Sequence, residues 1–448
     1  MNGVMVLNKK NNIQVITENA LCTACGACSG ICPTKAILML TNTAGYLTAN
    51  IDFTKCTYCG MCHEVCPGVV NNTPYLNQSD MFHGVYLDGY IGHAVDAVIR
   101  QKSQSGGIVT ALLCYLLEKE LIDGAIVNNF NKQTKRPEVV YETTKEGIIK
   151  GSGSYYSQSS VVKTILENKD KKAAAVVLGC QSESLNLIRE KYPKIELPAY
   201  TIGLICAGQY SGNYIDDLIG ESGCDKSEVT DFRFRDKNAG GWPGHIKIYT
   251  TEKDYILDKK VRHMLKPVYE LHRCLLCFDQ MNIFSDITVG DPWGITNKTN
   301  KEGNTVIIAR TQKGKELFEG AVRAGAIAVE ALSVTKIMEG QTVDSRLKTQ
   351  FFTAMNISKA KGYMVPYNEK CFKHISYEKP SSKKFREISR RLDYSRKIYC
   401  EKDIKKIKRY VIIRKKELKR QRGLVKLINF PKKYVSYGLR KMRLKVNK

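Results

Sequence analysis

Residues 22–33 read CTACGACSGICP and residues 56–67 read CTYCGMCHEVCP, two copies of C-x2-C-x2-C-x3-C-P close together in the chain. Three cysteines at two-residue gaps can wrap one face of a cubane. The fourth, ahead of a proline that reverses the chain, is turned toward a neighbouring cluster. The spacing therefore assigns Cys22, Cys25, Cys28 and Cys66 to one 4Fe-4S cluster, and Cys56, Cys59, Cys62 and Cys32 to a second. Zinc sites instead alternate two close pairs across a longer spacer and have no use for tandem triplets. A disulfide framework would need an oxidising compartment, and the opening MNGVMVLNKK carries no apolar signal core. The chain is expected to move electrons.

Working outward, 448 residues suffice for two or three domains, and 43% hydrophobic with 25% charged residues is ordinary for a globular protein. No apolar run reaches the roughly 20 residues of a bilayer-spanning helix, so the expected localisation is cytoplasmic, with a peripheral membrane contact as an option. The formal charge of +26 is uneven: residues 381–448 hold 26 Lys and Arg against 5 Asp and Glu, a net of +21, which leaves +5 for everything before them. The redox body is nearly neutral and the tail basic.

Residues 1–75 read as an α+β two-cluster ferredoxin-type module, with β-like segments at 36–40 and 46–53 and a polar linker at 71–80. From residue 83 onward strand and helix patterns alternate, as in a mixed α/β domain. In SQSGGIVTALLCYLL, Ile108, Ala111, Leu112, Tyr115 and Leu116 fall at helical spacing behind a Ser- and Gly-rich loop. Such a loop at a helix start is a seat for phosphate, although a plain cap and turn is the commoner reason for it. GSGSYYSQSS at 151–160 is a second loop of this kind, opening a helix over 161–166. AAAVVLGC at 173–180 and TIGLIC at 201–206 are strands that each end in a cysteine. Strand ends are where α/β proteins place their chemistry, and Cys180, Cys206 and the C-x2-C pair Cys274 and Cys277 can converge on a third 4Fe-4S cluster. The alternative for Cys180 and Cys206 is a buried structural thiol. Cys114, Cys224, Cys371 and Cys400 have no partner spacing. His63 is read as an exposed spacer, and His263 and His272 as surface residues beside the third set.

QSGGIVTALLCYLLEKELIDGAIV, LGCQ, IGLICAGQYS, FRFRDKNAGGWPGHIKIYT and RCLLCFDQMNIFSDITVGDPWG form an ordered series over residues 83–345. That series resembles the coenzyme F-420 hydrogenase/dehydrogenase beta-subunit family, which also includes 7-hydroxymethyl chlorophyll a reductase. The resemblance implies an FAD-binding oxidoreductase domain with one nearby 4Fe-4S cluster, a role that also fits Cys180, Cys206, Cys274 and Cys277. It implies flavin contacts from Ser103, Ser105, Gly106, Gly107 and Thr110, from Gly151, Ser152 and Tyr155, and from Gly240, Gly241, Trp242 and Gly244, with Asp291 and Trp293 shaping the same pocket. Read without it, the GGWPG and GDPWG segments are a pair of turns. This chain departs from the family's habit at Leu178, ahead of Cys180, and at Ala207, after Cys206, where proline and histidine are common.

The expected partners are a redox protein or soluble ferredoxin and a small-molecule hydride donor or acceptor, a deazaflavin among them. A non-catalytic carrier subunit and a reductase of a sugar or polysaccharide pathway are the alternatives. Ile404, Ile407, Val411 and Leu418 recur near helical spacing in the tail, so a cationic amphipathic helix there could lie on an anionic membrane or an acidic partner. Nucleic acid is the less favoured occupant, and a solvated or disordered extension is the plain alternative.

Overall fold

The computed structural model of the protein describes residues 12–69, 82–295, 300–367 and 375–421. The linker expected at 71–80, Cys371 and the tail beyond residue 421 lie outside the described residues.

The two cysteine runs share one backbone path. Ala24 and Tyr58 take positive φ values of 62° and 56°, Gly26 and Gly60 follow at 83° and 80°, and a short helix opens after each, at Ala27–Ile31 and Met61–Glu64. Between them, strands β1 (Ile37–Thr41) and β2 (Leu47–Ile51) pair antiparallel from Ile37↔Ile51 to Thr41↔Leu47. The module is not a bead on a string. Cys25, Ala27, Ile31 and Val65 share a core with Ile126, Val161, Val162, Ile165 and Val177 of the α/β body. The Val162 N–H donates to the Cys25 carbonyl at 2.9 Å, and a Cβ on Gly26 would meet those of Ser160 and Lys163 at 2.8 Å. Only glycine permits that approach at this φ.

The body is built on β3 (Asp88–Ala94), β4 (Gly124–Asn131), β5 (Arg136–Glu142), β6 (Ala173–Val177) and β7 (Tyr200–Leu204). A separate antiparallel sheet follows, of β8 (Val229–Asp236), β9 (His245–Thr250) and β10 (Tyr255–Leu257), and then β11 (Ile287–Gly290), β12 (Thr305–Ala309) and β13 (Ile327–Ala331) complete the large sheet. Its order is β13-β3-β12-β11-β7-β6-β4-β5. The central strands β11, β7, β6 and β4 are parallel, and the flanking pairs antiparallel. The parallel strands are apolar on both faces, as strands covered on both sides must be. Because they run together, the ends of β6, β7 and β11 deliver Cys180, Cys206 and Asp291 to one edge of the sheet.

The tail is helical, over Ser382–Cys400 and Ile404–Gln421, but as far as residue 421 it is not an appendage. Ile388, Leu392, Ile398 and Tyr399 are buried, and Arg391 holds both carboxylate oxygens of Glu270, at 2.6 and 3.1 Å. Arg396 donates to the Asn19 carbonyl at 2.8 Å, and the Tyr399 ring lies 5.2 Å from that of Tyr46. In the second helix Ile407 and Leu418 are buried, and Lys415 pairs with Asp217. The apolar stripe expected to face a membrane or a partner is turned onto the body, which supplies carboxylates to meet the cations; Ile404, Ile412 and Ile413 remain exposed. Among the described residues no helix is long and apolar enough to cross a membrane.

Candidate functional site

Cys180 sits in the first turn of helix Gly179–Lys191, directly after β6, and Cys206 two residues after β7. Cys274 lies in helix His272–Leu275 and Cys277 just beyond it. Burial raises the pKa of the Cys180 thiol, and Cys25, Cys277, Cys206 and Cys274 raise it further by lying close enough to oppose its charge. The four cysteines of the third set are therefore gathered in one place, next to the first run. The N-terminal eight divide by the same criterion. After burial, Cys28 feels chiefly Cys22, Cys25 and Cys66, whereas Cys62 feels Cys59, Cys56 and Cys32. These are the two groupings that the spacing suggests.

Among the described residues no three His, Cys, Asp or Glu side chains are placed to hold a single metal ion. What suits these thiols to clusters is the supply of N–H donors to sulfur, since cluster thiolates are tuned by such bonds. Backbone N–H groups of Ala24, Tyr58, Gly68 and Gln209 reach the sulfurs of Cys22, Cys56, Cys66 and Cys274 at 3.3 to 3.4 Å. Exposure is graded. Cys22, Cys25, Cys28, Cys62 and Cys66 are buried, Cys32 and Cys56 half-buried, and Cys59 exposed.

Beside the third set opens a cleft of about 240 Å³, continuous with solvent. Ser103, Ser105, Gly107, Thr110, Gly151, Ser152, Tyr155 and Asp291 line it, together with Cys206 itself. Val127, Val176, Val177, Leu204 and Val289 make an apolar floor. Around its wall the Oγ atoms of Ser103 and Ser152 and the Oε1 atoms of Gln104 and Gln209 are buried without a hydrogen-bond partner. Such atoms are costly unless a ligand satisfies them, so the residues fit an extended polar occupant. Helix Ile108–Glu118 points its N-terminus here, with Gly107 at φ 85°.

The remaining residues expected at the flavin stand behind this wall. The Gly106 N–H is donated to Thr305 Oγ1 at 2.9 Å. Gly240, Gly241, Trp242, Gly244 and Trp293 are absent from the lining. Trp242 Nε1 donates to Asp291 at 3.1 Å, the two tryptophan rings lie 5.0 Å apart, and the Pro243 carbonyl accepts from Arg235 Nε at 2.9 Å. Trp242 and Pro243 thereby help to position one ion pair.

That pair is Arg235 with Asp291, which sequence reasoning did not single out. Arg235, on β8 and only 5% exposed, grips both oxygens of Asp291 and also donates to the Gln104 carbonyl at 3.0 Å and to the Tyr156 hydroxyl at 3.3 Å. Burial pushes the Asp291 carboxyl up, but Arg235, Trp242 and Ser105 more than offset it, and its pKa falls below the usual carboxylate range. Tyr156, Tyr210, Gln209 and Lys266 are further lining residues that the sequence did not mark. His272 departs from its expected surface position. It is fully buried, with Nδ1 3.0 Å from Ser395 Oγ of the C-terminal helix, and burial pushes its imidazole down to about 3. His263 is exposed and His63 half-buried.

The chain is similar in sequence to known proteins. Sequence profiles for the N-terminal and C-terminal parts of the coenzyme F420 hydrogenase/dehydrogenase beta subunit match residues 90–166 and 170–335, and a 4Fe-4S dicluster domain profile matches 21–69. The coenzyme F420 hydrogenase subunit beta of Methanothermobacter thermautotrophicus is 25% identical over 268 residues, covering 57% of this chain and 88% of that protein. The coenzyme F420-dependent sulfite reductase of Methanocaldococcus jannaschii is 27% identical over 322 residues, covering 67% of this chain and 46% of that protein. Among solved structures, a chain of the F420-reducing NiFe hydrogenase complex from Methanosarcina barkeri aligns with a TM-score of 0.48 at 21% identity, over 67% of this chain and 98% of that one. With the two halves of one family profile matched over more than half its length, and a dicluster module ahead of them, this chain belongs to the coenzyme F420 hydrogenase/dehydrogenase beta-subunit family and is an iron-sulfur oxidoreductase.

Proposed function

We propose that the chain carries electrons between a protein donor and a small-molecule hydride partner, and that it holds three 4Fe-4S clusters and one FAD. Cys22, Cys25, Cys28 and Cys66 would hold the first cluster, Cys56, Cys59, Cys62 and Cys32 the second, and Cys180, Cys206, Cys274 and Cys277 the third. The observation that carries this reading is the double position of Cys206, a member of the third thiol set that also lines the cleft. When bound, clusters pass single electrons and a flavin exchanges pairs of them as hydride equivalents.

The chain's own residues suit that occupant. The helix end at Gly107 presents free backbone N–H groups where a pyrophosphate is stabilised. The valine and leucine floor accepts a flat apolar ring, and the unpartnered hydroxyl and amide oxygens of Ser103, Ser152 and Gln104 wait for polar edges. Asp291 is anchored by Arg235, so it keeps a fixed carboxylate at the end of β11. The relatives' names make the deazaflavin coenzyme F420 the first candidate for the hydride partner.

Anaerobic reconstitution of the full chain with iron, sulfide and FAD tests this directly. About twelve iron atoms and one FAD per chain are expected. About eight iron atoms and no flavin would reduce the protein to a two-cluster carrier.

A further inference from the structure

Helix Lys259–Tyr269 brings Lys266 to the cleft, with its ammonium 5.3 Å from the centre of the Tyr156 ring and 5.6 Å from that of Tyr210. Among the described residues no carboxylate pairs with it. The neighbouring cations are spent elsewhere: Arg235 on Asp291, and Arg233 on Asp231 at 3.0 Å. Arg262, one turn back on the same helix, donates to the Phe234 carbonyl at 2.6 Å and adds positive charge. Glu270, four residues on, is close enough for its field to reach Lys266. Both its oxygens, however, are held by Arg391 of helix Ser382–Cys400. The C-terminal helix has taken the carboxylate that would neutralise the lysine. A partly buried ammonium without a counter-ion is costly, and burial pushes its pKa down. An arriving anion recovers that cost through a charge-assisted contact.

We propose that the Lys266 end of the cleft, between Tyr156 and Tyr210, is a subsite for a carboxylate or phosphate group, and that the C-terminal helix keeps it open by holding Glu270 on Arg391. This rests on the cleft being the ligand site proposed above. The anion belongs either to the substrate or to the cofactor, and the two are separable by experiment.

Inorganic phosphate is titrated calorimetrically into the full-length protein with and without FAD, and FAD is titrated into flavin-free protein by fluorescence quenching. Lys266→Gln should weaken one of these by at least about tenfold, the loss expected of a charge-assisted contact. Loss of phosphate binding with FAD affinity intact assigns the subsite to the substrate; loss of FAD affinity assigns it to the cofactor's phosphates. Arg391→Met, outside the cleft, should weaken the same titration by releasing Glu270 onto Lys266, and the double variant with Glu270→Gln should restore it. If Lys266→Gln changes neither titration, the subsite is wrong. If the double variant fails to recover while circular dichroism shows an intact fold, the role of the helix is wrong. Failure of wild-type protein to bind FAD would instead strike the functional reading, because the flavin-free phosphate titration still reports on Lys266.

Discussion

Arg235 is the residue on which four separated stretches converge: the SQSGG loop through Gln104, the YY loop through Tyr156, the GGWPG turn through Pro243, and the end of β11 through Asp291. Removing one member of a buried pair leaves the other uncompensated, so Arg235→Met should cost about 3–5 kcal/mol. Trp242→Phe deletes a single hydrogen bond to Asp291 and should cost about 1 to 3 kcal/mol. Urea denaturation midpoints would rank the two. The pH dependence carries a sign. Because the folded protein holds Asp291 below the usual carboxylate range, the stability it contributes is present above the unfolded value of about 4 and is lost as pH falls through the lower folded one. The advantage of wild type over Arg235→Met should therefore shrink on acidification below about pH 4. The two N-terminal cysteine runs were legible because the spacing within each is local. Arg235 was not, because its partners come from segments far apart in the chain, and nothing in FRFRDK says which arginine turns inward.

The same limit holds for elements. Helical spacing in the tail was readable from Ile404, Ile407, Val411 and Leu418, but the surface that spacing would meet was not. A segment so basic, read alone, points outward to a membrane or an acidic partner. The carboxylates that answer it lie on the body at Asp217, Glu221 and Glu270, far upstream in the chain. Burial decides which tail positions matter. Leu392 is fully buried and Leu392→Ala should cost about 2–5 kcal/mol, while Ile413, 45% exposed, should tolerate alanine within about 0.5 kcal/mol. Limited proteolysis should show helix Ser382–Cys400 cleaved faster in Leu392→Ala and unchanged in Ile413→Ala. Equal rates in the two would mean that the helix is not docked as described. The GGWPG segment teaches the converse lesson. Its glycines mark a close turn, which the sequence shows, but the turn braces Asp291 from behind and does not face the cleft.

Across the whole molecule each thiol set adjoins the next. Cys62 and Cys28 lie within reach of each other's charge and so join the outer set to the inner one, and Cys25 and Cys180 join the inner set to the third. Among the twelve proposed ligands, Cys59 of the outer set is the exposed one, and Cys206 of the third set lines the cleft. On the proposed reading, a protein donor approaches at the Cys59 end. A bulky partner cannot reach the buried Cys22 set, whereas a small hydride donor needs only the open mouth of the cleft. On the same reading, Cys59→Ala should lower the iron content by up to about four atoms and slow reduction of the proposed FAD by a reduced ferredoxin. Reduction from the cleft side by a small hydride donor should proceed at the wild-type rate, since nothing at Cys59 touches the cleft. Stopped-flow absorbance of the flavin with each donor separates the two routes. If both slow together, the outer set is supporting the fold and is not the docking end. If neither slows, electrons from the protein donor enter at another face.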